Sequence, residues 1–112
     1  MVTGMGTVNP LGPDVASSWK HLMQGKSAVN KITLFDPSEH STQFAAEVKD
    51  FDAEGRFGRK HARRMDRFVQ FAVAATEEAL QAARLKITDA NRDRVGAIIG
   101  TGVGGVTTIC DE

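Results

Sequence analysis

Residues 94–105 read RVGAIIGTGVGG, and the last six, Gly100-Thr101-Gly102-Val103-Gly104-Gly105, satisfy the spacing G-x-G-x-x-G. Glycines so spaced let a backbone approach a pyrophosphate at the mouth of a βα unit. They serve a tight turn or close helix packing equally well. The nucleotide reading needs a preceding strand, a following helix and an acidic residue some 20 positions on. An apolar run precedes the loop and a helix can follow it. The acidic position falls beyond residue 112, and an α/β stretch of about a hundred residues precedes a motif that usually opens its domain. No Lys-Ser/Thr pair follows for a phosphate-binding P-loop.

Other chemistry-bearing side chains are sparse. Cys110 follows the glycine loop in an Ile-Cys-Asp-Glu context and reads as a buried or half-buried free thiol. His21, His40 and His61 fall on a helix, in a turn and in a basic stretch, without pairing spacing, so surface or capping roles are expected. No catalytic residue and no metal ligand set is assigned. Residues 56–67, RFGRKHARRMDR, carry six Lys and Arg side chains against one acid. If the chain is helical from Arg59 onward, Lys60, Arg63, Arg64 and Arg67 share about a quarter turn. Such a face is either simply solvated or faces a polyanion. Without Phe, Tyr or Trp interleaved among residues 59–67 for base stacking, nucleic acid is the weaker choice and an acidic protein the stronger.

Composition sets the frame for these residues. The 112 residues carry 14 basic and 14 acidic side chains, so no global field draws nucleic acid or membrane. No apolar run approaches a membrane span and no signal-peptide pattern opens the chain. A single cysteine excludes an internal disulfide framework and points to a cytoplasmic, reducing compartment.

The elements that must position the loop and the basic stretch follow from periodicity. Met1–Thr3 reads as the tail of a buried strand, and residues 9–13 as loop. Asp14 is placed to cap a helix whose apolar face is Val15, Trp19, Leu22 and Met23, with Gly25 as its stop. Ile32–Phe35 and Gln43–Val48 are extended candidates. Asp66 is placed to cap a long helix over 67–83 whose apolar stripe is wide enough to need cover on more than one side. Arg94–Ile99 reads as a strand buried on both faces. The order predicts an α/β fold. An abrupt start, and a stop inside an expected helix, suggest part of a larger unit, with 1–112 lying in one domain and no second domain.

Several short motifs also follow one another in order: Val2-Thr3-Gly4-Met5-Gly6, Pro10-Leu11-Gly12, Gly25-Lys26-Ser27, Phe35-Asp36, Glu47-Val48-Lys49-Asp50-Phe51, Arg63-Arg64-Met65-Asp66-Arg67-Phe68 and the glycine loop. Their order and spacing resemble the N-terminal quarter of the β-ketoacyl-acyl carrier protein synthases, and the Met-Asp-Arg-Phe segment looks more like the type II enzymes. The resemblance implies a thiolase-like fold, here an incomplete part of the N-terminal βαβαβ half. It implies a cytoplasmic acyltransferase of fatty-acid synthesis, homodimeric when complete, that condenses an acyl thioester with malonyl-acyl carrier protein. It further implies that Val103, flanked by Gly102 and Gly104, gates an acyl tunnel, and that Lys60, Arg63 and Arg64 help dock the carrier protein. No cofactor of its own is implied, since the phosphopantetheine travels on the carrier. The family's cysteine nucleophile and paired histidines would lie beyond Glu112, so residues 1–112 alone are expected to be inactive. Family members carry further residues before Val2. The alternatives are a polyketide ketosynthase, a Rossmann-type nucleotide-binding module and a stand-alone interaction domain with no chemistry.

Overall fold

Asp14 sets the first helix. Its backbone is extended, at φ −150° and ψ 169°, and its carboxylate accepts the Ser17 N–H at 2.7 Å, capping α1, Val15–Met23. Gly25, at φ 65°, ends the run beyond Gln24. The expected cap and stop are both present. In the computed structural model, which describes residues 1–111, the expected apolar face behaves differently: Trp19, Leu22 and Met23 are exposed.

The described residues form two compact units, one of residues 8–51 and one of residues 1–7 with 52 onward. The first holds α1 and an antiparallel pair, β1 (Val29–Lys31) and β2 (Phe44–Ala46), with Asn30 opposite Ala45. The second strand falls within its expected range, whereas the first is displaced toward the N-terminus of Ile32–Phe35. The displacement has a local cause. After the Ile32 N–H bonds the Gln43 carbonyl at 3.0 Å, the N–H groups of Thr33 and Leu34 go to the Glu47 carboxylate, at 2.9 and 3.1 Å. A side chain has taken the place of the ladder.

The second unit is built on α4, Arg67–Ala82, within a residue of the expected span. Before it come two short helices, α2 (Ala53–Phe57) and α3 (Arg59–Ala62), of which α2 was not expected. After it come a 3₁₀ turn, Arg92–Arg94, and α5, Val106–Asp111. The N-terminal segment lies along α4, where the Thr7 N–H donates to the Glu78 carboxylate at 2.9 Å. The approach is so close that a β-carbon on Gly6 would collide with the Ala75 carbonyl, which explains why small residues line this part of the helix.

Three expectations need correction. Arg94–Ile99 forms no strand: Val95 is extended, at φ −112° and ψ 120°, but no described segment pairs with it, and a strand exists only through its neighbours. Met1–Thr3 makes no ladder for the same reason. The stripe on α4 is half-covered, not enclosed, since on that helix only Gln70 and Ala74 are buried. Among the described residues, no helix is long and apolar enough to cross a membrane.

Candidate functional site: a glycine loop against a basic segment

The basic residues are held differently from the continuous helix expected of them. Gly58, at φ 75°, separates α2 from α3, and α3 ends after one turn at Arg63. The chain then turns at Arg64 and Met65 before α4 begins, so Lys60 lies in one helix and Arg67 in the next. What fixes the turn is Gln70. Its amide is buried and donates to the Ala62 carbonyl at 2.9 Å and the Met65 carbonyl at 3.1 Å, satisfying groups that the break leaves open. Sequence reasoning missed this residue, because a glutamine in a helix ordinarily reads as solvent-facing.

Lys60, Arg63, Arg64 and Arg67 are all exposed. Arg63 has a loose ion pair with Glu54 at 3.9 Å, and Arg67 lies over the Phe71 ring at 4.9 Å. Lys60 and Arg64 form no ion pair among the described residues. The segment therefore offers cationic heads to solvent from a backbone that is internally tied.

The glycine loop follows the extended segment and leads into α5. Within it the Gly104 N–H donates to Thr101 Oγ1 at 3.0 Å, and Gly104 adopts φ 81°, a left-handed conformation that favours glycine. A β-carbon there would still have room, 3.8 Å from the Phe68 ring. Gly105 has the opposite constraint. Its backbone faces the Asp66 carboxyl so closely that a β-carbon would sit 2.6 Å from Asp66 Cγ. Gly100 and Gly102 meet nothing within 4 Å. Val103 stands 72% exposed at the tip. The loop is thus anchored at its C-terminal side and open at its tip.

Asp66 also departs from its expected role. It precedes α4, yet its carboxylate makes no capping bond to the helix and instead accepts from Thr108 Oγ1. Arg63, Met65, Asp66, Phe68, Gly104 and Gly105 surround a single cleft of ≈ 410 Å³, so the basic segment and the loop base share one wall. Lys60, Arg64, Gly102 and Val103 do not line it.

The remaining candidates stay apart. Cys110 is exposed, contrary to the buried or half-buried thiol expected, because no described element covers it on α5. His21 Nδ1 lies 2.6 Å from the Leu11 carbonyl, His40 meets the Phe35 ring edge-on, and His61 is exposed. Among the described residues no three His, Cys, Asp or Glu side chains converge as metal ligands would.

Comparison with known proteins covers both the loop and the basic segment. Residues 1–111 match the family model described as the N-terminal domain of beta-ketoacyl synthases. The 3-oxoacyl-[acyl-carrier-protein] synthase 2 of Synechocystis sp. is 44% identical over 112 residues, which are all of this chain and 27% of that protein. The synthase of the same name from Staphylococcus aureus is 43% identical over 108 residues, 96% of this chain and 26% of that protein. Among solved structures, the ishigamide ketosynthase/chain length factor superposes with a TM-score of 0.75 at 29% identity, covering 98% of this chain and 27% of that one. The chain thus spans about a quarter of the length of these relatives.

Proposed function

The chain belongs to the β-ketoacyl synthase family, matching its N-terminal domain and sharing its thiolase-like fold, and from that premise we propose that it forms the N-terminal quarter of a cytoplasmic fatty-acid-elongating 3-oxoacyl-acyl carrier protein synthase. Such an enzyme joins an acyl thioester to malonyl-acyl carrier protein with loss of carbon dioxide, a Claisen condensation. In this reading residues 1–112 supply scaffold, a gate and a docking surface within one domain. The nucleophile and the histidines belong to the rest of the enzyme, so these residues alone do not condense. No metal or organic cofactor is required of the chain, because the phosphopantetheine arrives on the carrier. The complete enzyme acts as a homodimer.

The observation that carries the reading is a glycine loop, inside the family match, whose base is fixed and whose branched tip is free. A hydrocarbon gate needs such a tip: Val103 can swing without disturbing Gly104 and Gly105. The exposed Lys60, Arg63 and Arg64, of which Arg63 lines the cleft at the loop base, suit an acidic carrier, where exposed charges chiefly speed and orient encounter. A second reading, a polyketide ketosynthase, is favoured by the ketosynthase/chain length factor, although that relative is 29% identical against 44% for the fatty-acid type.

The test is Val103→Phe in the full-length synthase, with acyl-carrier primers of graded length. Each methylene withdrawn from water contributes about 0.8 kcal/mol. Blocking the passage of two or three should therefore lower kcat/KM for long primers by about 10- to 50-fold relative to short ones. Equal losses at every length would remove the gate.

A further inference from the structure

The carboxylate of Asp66 touches the loop base twice, and neither contact follows from its place at the start of α4. It accepts from Thr108 Oγ1, two residues into α5, and it fills the space beside Gly105 that a β-carbon would need. Phe68, two residues along α4, lies under Gly104. The first turn of α5 starts from the same point, with the Ile109 N–H on the Gly105 carbonyl at 3.0 Å and the Val106 N–H on the Gly104 carbonyl at 3.1 Å. One acidic side chain therefore contacts the chain where the glycine loop ends and the following helix begins.

We propose that Asp66 is a positioning residue for the glycine loop: through Thr108 it pins residues 104–106 to the start of α4, so that only the tip at Gly102 and Val103 moves. The functional consequence rests on the gate reading above, whereas the positional claim does not. A loop loose at both ends would let Val103 sample many positions and admit primers with little discrimination. Pinned at one end, it swings through a defined arc. Because Asp66 follows Arg64 with only Met65 between them, the pin also places the loop relative to the basic segment.

Two measurements on the full-length synthase separate the claims. The first is amide hydrogen exchange over residues 104–109. Removing one hydrogen bond to a charged group should speed exchange there by about tenfold in Thr108→Val and in Asp66→Ala, while Thr108→Ser restores protection. Should Asp66→Ala fail to fold, Thr108→Val and its serine rescue carry the test alone. Unchanged exchange in Thr108→Val overturns the proposal.

The second measurement is primer selectivity. The ratio of kcat/KM for long against short primers should shift several-fold in Thr108→Val, with the KM for the carrier protein held. If exchange speeds up but selectivity is flat in both Thr108→Val and Val103→Phe, the gate reading falls and the pin stands. If Val103→Phe discriminates by length while exchange in Thr108→Val stays protected, the pin falls and the gate stands.

Discussion

At the scale of single residues, the basic stretch shows how charge and its presentation separate. Six cations in twelve residues are visible in the sequence, but the turn that presents them depends on Gln70, eight residues beyond Ala62, whose carbonyl it holds. A residue that completes another segment's hydrogen bonds carries no local signature. The exposed cations should act through long-range attraction rather than through fixed contacts. Reversing Lys60 and Arg64 to Glu is expected to raise the KM for the acidic carrier about tenfold or more at low salt and to flatten its salt dependence, with the kcat for small thioester substrates little changed. Steady-state kinetics over a salt series checks this. Asp66 shows the same limit: its position announces a helix cap, but its bond is to a threonine 42 residues away.

At the scale of elements, what can be read locally was legible. Asp14 caps α1 and α4 runs as its periodicity requires, since both depend on residues within a turn or two. Replacing Asp14 by Ala should cost about 1 kcal/mol, read from a denaturant melt against wild type. The β1–β2 hairpin was legible only in part, because Glu47 diverts the N–H groups that Thr33 and Leu34 would have given to a strand. The Thr33 hydroxyl and N–H, then the Leu34 N–H and the Lys49 ammonium, hold the Glu47 carboxyl below the usual glutamate range. A carboxyl depressed in the folded state stabilises it above its unfolded pKa, and that contribution is lost as pH falls through the lower folded value. Exchange of the Thr33 and Leu34 amides should therefore be protected near neutrality and accelerate only as pH falls below the ordinary glutamate range, after correction for the intrinsic rate. The Glu47→Gln variant should show no such transition.

At the scale of the whole molecule, the exposed apolar side chains dominate. Ile98 is 99% exposed and Ile99, Phe44, Leu34 and Trp19 are more than half exposed, while the buried side chains are few and small. These residues read as core in the sequence, and the pattern was right about their character. Burial, however, is a property of what lies opposite, which periodicity does not specify. Expressed by itself, the 112-residue chain should bind an apolar dye strongly and elute from a sizing column at a volume that depends on concentration. Dye fluorescence at the level of a well-packed control of similar size would contradict this. The strand expected at 94–99 belongs to the same lesson, because its residues have the composition of a central strand and no described partner.

The uneven anchoring of the glycine loop bears on protein engineering. Gly100 and Gly102 have open space around them in this chain, while Gly104 is committed by its backbone angle and Gly105 by its neighbour. A library randomised over all six positions would strain the backbone at Gly104 and push against the Asp66 carboxylate at Gly105 in most of its members. Diversity is better confined to 100, 102 and 103, where new side chains leave the Thr101 Oγ1 bond to the Gly104 N–H in place.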